Sequence, residues 1–311
     1  MKLIFIVHEK SGSGNGRKVW RRIQSQLTIP YEVFITAYEK DAIKIAEQIK
    51  VYSNENSMPV LLVGIGGDGT YHEIINGIQG ANDIILGAVC AGSGNDFKRA
   101  YGQFNNAEEI EQFLYNVTAV SKDAGIIQSA QQTTIHFVNN SGIGFDALVA
   151  LAANQSKIKK TFNLIGLGKL CYVYYLIKCL FTFKPFKMDV SIDEQSICYE
   201  NVWFVTASNQ PYFGGGMKIS PTSKTDDGLL ELTVVHNLNK YKLLFIFITV
   251  FFAKHTKFKE VELLTASEFT IHMEENYPMH ADGEHLLIET KNAPIIYSAS
   301  SSCWQLAKKS D

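Results

Sequence analysis

Gly66-Gly67-Asp68-Gly69-Thr70 places three glycines and one carboxylate directly behind the apolar run Pro59-Val60-Leu61-Leu62-Val63. Glycines at a strand end lack the Cβ that would hold backbone N–H groups away from a polyphosphate, and they accept positive φ, which is the chemistry of a nucleotide-phosphate loop. Asp68 narrows the reading. A carboxylate aimed at phosphate repels it unless a divalent cation lies between them, so this residue predicts Mg²⁺ and phosphoryl transfer. Two other stretches repeat the pattern of apolar strand and polar glycine loop. Gly92-Ser93-Gly94-Asn95-Asp96-Phe97 follows Leu86-Gly87-Ala88-Val89-Cys90-Ala91, and Ser11-Gly12-Ser13-Gly14-Asn15-Gly16 follows Lys2-Leu3-Ile4-Phe5-Ile6-Val7. Open α/β sheets bind ligands at the carboxyl ends of their strands, where all three loops fall.

Two common phosphate motifs are disfavoured by their own mechanics. Gly64-Ile65-Gly66-Gly67-Asp68-Gly69 fits G-x-G-x-x-G formally, but its aspartate would face the pyrophosphate of a dinucleotide. Around Gly12 the spacing G-x-x-x-x-G-K-[ST] is absent, because Gly12, Gly14 and Gly16 alternate and Lys18 precedes Val19.

The loops need a scaffold, and the first part of the chain supplies an alternating one. Strands are expected at 3–7, 31–36, 60–64 and 85–90, with helices at 17–27, 40–53, 70–79 and 106–117, giving a parallel α/β domain over 1–123. Beyond it, short runs rich in β-branched and aromatic residues at 124–128, 133–140, 187–192, 196–209, 229–236, 260–265, 268–274, 285–290 and 295–299 predict an antiparallel β domain over 124–290. Helical insertions are expected near 146–182 and 240–255. Leu164, Leu167, Leu170, Tyr174, Ile177 and Phe181 recur at near-helical spacing, which reads as core, although the same surface suits acyl chains. Lys157, Lys159, Lys160 and Lys169 read as a solvated run that anionic headgroups would also attract.

Composition bounds the rest. A chain of 311 residues, 46% hydrophobic, is long enough for two cores, and a formal net charge of −2 without a dense basic run excludes nucleic acid as a partner. Cys90, Cys171, Cys179, Cys198 and Cys303 form no C-x-x-C pair and read as reduced thiols. The start of the chain is strand-like and lacks a secretion signal, so a cytoplasmic protein is expected. The apolar stretch 162–183 carries Lys169 and Lys178, and the stretch 243–253 is shorter than the ~20 residues of a membrane span. Both suit helices lying at an interface, hence peripheral contact with the inner face of the membrane. The histidines His136, His255, His272 and His280 show no metal spacing and read as structural or surface groups.

Three later motifs complete an ordered set: Gly214-Gly215-Gly216-Met217-Lys218-Ile219-Ser220-Pro221, Asp226-Asp227-Gly228-Leu229 and Asp282-Gly283-Glu284. Together with the Asp68 and Asn95 loops they resemble, in order and over nearly the whole chain, the diacylglycerol kinase catalytic-domain family, in particular its soluble bacterial YegS-like lipid kinases. The resemblance implies an α/β plus all-β protein. Its N-terminal parallel α/β nucleotide-binding domain would be of the NAD kinase and phosphofructokinase kind, its C-terminal domain an antiparallel β-sandwich with helical insertions, and residues 291–311 would return to the first domain.

The same resemblance implies ATP as phosphoryl donor, Mg²⁺, and a lipid acceptor at the membrane surface, with diacylglycerol foremost. Phosphatidylglycerol, undecaprenol and a sphingoid base stay open as acceptors. The nucleotide would be held by Lys10, Ser11, Gly12, Ser13 and Gly14, by Thr36, by Gly66, Gly67, Asp68, Gly69, Thr70, Tyr71 and His72, and by Ser93. Asp68, Asp96 and Asp123 would form an acidic network around the nucleotide-bound Mg²⁺. A second, structural Mg²⁺ would take the Asp227 carboxylate and the carbonyls of Lys224 and Leu229. Asp282 or Glu284 would be the general base, beside Asp68 as the third catalytic acid.

Several positions carry a plainer reading as well. Thr36 suits a helix N-cap, Asp96 a cap together with Asn95, Asp123 a turn, Lys224 to Leu229 a D-G hairpin, and Asp282-Gly283 an ordinary turn. The chain also departs from the family, with His8-Glu9 where Asn-Pro is usual and His72-Glu73 where Asn-Glu is usual. An NAD kinase is the enzymatic rival, and a catalytically silent lipid- or nucleotide-binding regulatory protein is the rival of another class. A homodimer is left open beside the monomer.

Overall fold

The computed structural model describes residues 1–129, 134–154, 168–291 and 293–308. The chain divides into two compact units, Met1–Asp123 with Ser301–Asp311, and Ala124–Ser300. The returning segment thus begins at Ser301 rather than at 291.

In the first unit β1 (Lys2–Val7), β2 (Glu32–Ile35), β3 (Val60–Gly66) and β4 (Ile84–Cys90) run parallel in the order β2, β1, β3, β4. Every residue of β3 is buried, as expected for a strand covered on both faces. Helices α1 (Ser11–Gln24), α2 (Asp41–Asn56), α3 (Asp68–Ile78), α4 (Asp96–Tyr101) and α5 (Ala107–Tyr115) connect the strands. The opening of α1 is not helical, since Gly12, Ser13 and Gly14 all adopt left-handed dihedrals and leave a loop before the helix proper. The short α4, absent from the sequence expectation, closes the loop after β4. One core packs Phe5, Trp20, Ile23, Leu61, Val63 and Phe104 together.

The second unit is built on antiparallel pairing. It contains β5 (Ala119–Ser129, from Ala124 onward), β6 (Thr134–Phe137), β7 (Asn140–Gly144), α6 (Phe145–Asn154), α7 (Gly168–Thr182), β8 (Phe186–Ile192), β9 (Gln195–Ser208) and β10 (Leu230–His236). There follow α8 (Lys240–Val250), a 3-10 turn (His255–Lys257), β11 (Val261–Ala266), β12 (Glu268–Met273), β13 (Met279–Ala281), β14 (Glu284–Leu286) and the long β15 (Ile295–Ala307). β9 is the organising strand, pairing with β8 over its first part and with β7 and β10 over its second. The run expected as one strand at 133–140 splits into β6 and β7. β13 was not anticipated, and the following strand stops at Leu286 instead of 290.

The helical stripe is corrected by its phase. On α7 the buried residues are Leu176, Cys179 and Leu180, which join Phe183 and Trp203 in the core, whereas Tyr174, Ile177 and Phe181 are exposed. Leu164, Leu167, Lys157, Lys159 and Lys160 lie outside the described residues, as do the side chains of Leu170 and Lys169. Among the described residues no helix is long and apolar enough to cross a membrane.

β15 begins in the second unit, where Phe269 faces Tyr297, and ends in the first, where Gln305 and Leu306 run parallel to Ile85 and Leu86. Its final turn of chain is well anchored. Trp304, fully buried, donates its indole N–H to the Asp123 carbonyl at 3.1 Å and packs on Tyr101 and Phe97. Truncating that ring leaves a large cavity and removes the indole hydrogen bond to that carbonyl. Trp304→Ala is expected to cost about 3–5 kcal/mol, read as a lowered urea midpoint; an unchanged midpoint would show that the returning strand does not hold the first unit together.

Candidate functional site

The three glycine loops of the first unit meet through their backbones. A Cβ added to Gly92 would lie 2.6 Å from the Gly67 Cα, and one added to Gly67 would lie 3.3 Å from the Ser11 hydroxyl, while one on Gly12 would strike the Ala91 carbonyl. Only glycines permit this approach. Hydrogen bonds fix it: Ala91 donates its N–H to the Gly66 carbonyl at 2.6 Å, and the Asn15 side-chain amide donates to the Ala91 carbonyl at 3.2 Å.

Asp68, the first residue of α3, reaches across to the next loop, where one carboxylate oxygen accepts the Phe97 N–H at 2.8 Å. It sits half-buried at a helix N-terminus, where backbone dipoles favour an anion. Lys10, Ser13 and Ser93 are exposed on the same loops, and Gly69 follows Asp68 in α3. Thr70 is buried, with its hydroxyl 3.4 Å from the His8 imidazole, so the histidine standing where the family has asparagine packs on this loop. Glu9 pairs with Arg17 at 2.8 Å and takes up a cation that borders the first loop.

Four expected residues have protein partners of their own. Tyr71 is 0% exposed, donates its hydroxyl to the Gly64 carbonyl and stacks on Phe97 at 4.2 Å, so its side chain is core and cannot touch a nucleotide. Thr36 caps no helix. Its N–H and hydroxyl both turn to the Val7 carbonyl, and α2 begins later, at Asp41. Asp96 is the first residue of α4 rather than its cap, and its carboxylate pairs with Arg99 at 3.0 Å. Asp123 is 1% exposed and accepts the Ser302 N–H at 2.7 Å, which ties it to β15.

Asp68, Asp96 and Asp123 therefore do not gather into a cation cage, and no cluster of three acidic, histidine or cysteine ligands exists among the described residues. Mg²⁺ does not need one, because it keeps several waters and binds through one or two carboxylates plus substrate phosphates. The loops supply a fitting set. The Asn95 side-chain oxygen is buried without a hydrogen-bond partner, close to Gly92, and Asp68 lies on the adjoining loop. Beside them, burial pushes the Cys90 thiol up to about 12, which leaves it unreactive.

In the second unit, Asp282-Gly283 is a two-residue hairpin turn between β13 and β14, with φ of 49° and 86°. Both values suit the Asp-Gly turn its sequence announces. The Asp282 carboxylate accepts three backbone N–H groups, from Val138 at 2.8 Å, Asn139 at 2.7 Å and Asn140 at 3.1 Å. Three of its four or so lone-pair positions are thus engaged. That geometry makes Asp282 a clamp on β7 and speaks against the free base expected of it. Glu284, two residues on, is exposed.

His280, read from the sequence as a structural or surface group, is structural, whereas its partner Asp146 and the buried Glu231 were not singled out there. His280 is 1% exposed, lies 3.3 Å from the Asp146 carboxylate and stacks under Phe213. Asp146 is the second residue of α6, directly after Gly142-Ile143-Gly144-Phe145, and that glycine-rich strand end was the available signal. Glu231, also buried, accepts the hydroxyls of Ser220 and Ser223. The Asp227 loop forms a tight turn in which one carboxylate oxygen accepts the Leu229 N–H at 3.1 Å, with Lys224 and Leu229 exposed beside it. Leu229 leads straight into β10, and β10 pairs with β9 and β11, so the plain D-G hairpin reading does not hold.

Comparison with known proteins adds to this picture. Residues 2–127 match the diacylglycerol kinase catalytic domain, and residues 140–296 match the YegS C-terminal NAD kinase beta sandwich-like domain. The Bacillus subtilis (strain 168) protein YtlR, a lipid kinase by name, is 33% identical over 290 residues, covering 90% of this chain and 92% of its own. A protein of Mycobacterium tuberculosis (strain ATCC 25618 / H37Rv) named diacylglycerol kinase is 28% identical over 221 residues, covering 70% of this chain and 68% of its own. A solved Bacillus anthracis (str. Sterne) structure described as a diacylglycerol kinase superposes with a TM-score of 0.71 at 22% identity, over 99% of this chain and 97% of that one. Yeast NADH kinase in complex with NADH gives 0.55 at 12% identity, over 100% and 84%. These two structural likenesses establish the shared two-domain fold.

The glycine contact yields a direct test. Gly92→Ala forces the Asn95 loop away from the Asp68 loop and is expected to cost about 1–3 kcal/mol, read by denaturant titration. Full stability in the variant would mean that the two loops do not touch as described.

Proposed function

The chain belongs to the diacylglycerol kinase catalytic-domain family, which makes it an ATP-using phosphotransferase, and from that premise we propose a lipid kinase that transfers the γ-phosphate of ATP to a lipid hydroxyl, diacylglycerol foremost. The observation that carries the proposal is the meeting of three glycine loops around Asp68. Glycine backbones without a Cβ there suit a polyphosphate, and the partnerless Asn95 oxygen suits a hydrated cation.

The acceptor oxygen bonds to the γ-phosphorus, the bond from that phosphorus to the β–γ bridging oxygen breaks, and ADP leaves with the electron pair. The proton of the hydroxyl passes to a carboxylate. Bound Mg²⁺ supplies charge neutralisation, and Asp68 with the Asn95 amide oxygen would hold it. The Asp227 turn is proposed as the second Mg²⁺ position, with hard oxygen donors from its carboxylate and the Lys224 and Leu229 carbonyls. Asp282 positions the hairpin, and Glu284 takes the proton.

Incubating the protein with γ-labelled ATP, Mg²⁺ and micelles of each candidate lipid, with NAD as a soluble control, tests the reading. Label is expected in one lipid and absent in Asp68→Asn; label in NAD overturns it, as does undiminished turnover in the folded mutant. The two acids of the hairpin separate in a paired experiment. Asp282→Ala strands three N–H groups and should lower stability by about 1–3 kcal/mol. Glu284→Gln should leave the melting curve in place while reducing kcat by roughly 10²–10⁴-fold, and wild-type turnover in that variant would return the base to Asp282.

A further inference from the structure

The hairpin that bears Asp282 and Glu284 is joined to β7 by three residue pairs, Met279 with Ile143, His280 with Gly142 and Ala281 with Ser141. The middle pair encloses a polar slot. Only the missing side chain of Gly142 leaves room for it, since a Cβ there would strike the Asp146 carboxylate and lie 2.7 Å from the His280 Nε2. Both side chains are almost wholly buried, His280 at 1% exposed and Asp146 at 7%. Burying a carboxylate and an imidazole carries a desolvation cost that packed apolar side chains would avoid, so stability alone does not account for the pair.

The hydrogen bonds around the slot assign the ring proton. The Asp146 carboxylate accepts the Ala147 N–H at 2.7 Å on one oxygen and the Thr206 hydroxyl at 3.1 Å on the other. That second oxygen lies 3.3 Å from the His280 Nε2, which is therefore the N–H side of the imidazole. Nδ1 keeps its lone pair. It accepts the Gly283 N–H at 3.4 Å, in the turn itself. The ring is stacked on Phe213 at 5.5 Å and 12°, and the His280 carbonyl accepts the Ser141 hydroxyl at 2.7 Å, so neither ring nor backbone is left to swing.

We propose that Asp146 and His280 are positioning residues for phosphoryl transfer. Asp146 fixes the imidazole as the Nε2–H tautomer, and the Nδ1 lone pair then fixes the Gly283 peptide from which Glu284 follows. The inference rests on Glu284 as the proton acceptor, and both residues act through the turn rather than on the substrate. Gly283 takes φ of 86°, in the region open mainly to glycine, and a glycine peptide turns freely unless it is tied. A proton on Nδ1 would set two N–H groups against each other at that point. Asp282 ties the turn to the residues entering β7, and His280 ties its next residue to α6.

Two readouts keep this inference separable from the kinase reading. Heteronuclear NMR of the imidazole nitrogens in the full chain, without substrate, is expected to show His280, assigned by its loss from His280→Asn, as the Nε2–H tautomer. In Asp146→Ala the Nδ1–H tautomer should appear. A proton on Nδ1 in the parent chain overturns the proposal whatever the substrate. Two replacements then divide the ring's contacts, since His280→Asn keeps an acceptor near the Nδ1 position, whereas His280→Gln keeps a donor near Nε2 and loses that acceptor. With γ-labelled ATP and the lipid that takes label, His280→Asn is expected to keep kcat within about threefold, and His280→Gln to lower it roughly tenfold or more with KM for ATP unchanged. Label in no lipid fails the kinase reading; label in the parent with equal kcat in the two His280 variants fails the positioning role.

Discussion

The contact between Gly67 and Gly92 is the constraint on which the first unit turns. Two backbones approach so closely that no side chain fits between them, and the Asp68 carboxylate closes the gap by accepting the Phe97 N–H. Phe97 then fixes the packing below, through Tyr71 on one side and Tyr101 and Trp304 on the other. Polar loop and aromatic core are thus one structure. A residue placed among the nucleotide contacts by resemblance, Tyr71, turns out to hold the loop from beneath.

Carboxylates at the motif positions are largely engaged by the protein itself. Asp68, Asp123, Asp227 and Asp282 each accept main-chain N–H groups, and Asp96 holds an arginine. Acids in such loops shape the backbone before they do anything else, since an N–H group without an acceptor is costly to bury. Glu73 shows the same habit outside the motifs' chemistry, accepting the Lys40 and Ala42 N–H groups and so capping α2 from α3. Its persistence beside His72 therefore has a structural cause.

Much of this was legible in the sequence, and the limits have physical reasons. β1, β3 and β4 are continuous apolar runs with glycine loops behind them, so strand and loop positions could be read directly. The Asp-Gly turn at Asp282 announced its hairpin in two residues. What one chain position cannot reveal is its distant partner. The tie from Asp282 to Val138, Asn139 and Asn140, and that from Asp123 to Ser302, span well over a hundred residues. The phase of α7 misled for a different cause: a helix apolar all round gives no stripe to choose, and the core took Leu176 and Leu180 while Tyr174 and Phe181 stayed outside.

The late arrival of β15 has a consequence for synthesis. Residues 301 to 308 complete the sheet that begins at Lys2, yet the whole of Ala124–Ser300 is made in between. At roughly 5–20 residues per second, the N-terminal α/β segment waits on the order of ten seconds or more with β4 unpaired on one side. During that interval the second unit has all but the last of its strands. The α/β unit therefore cannot complete its sheet until the sequence of the second unit has been made.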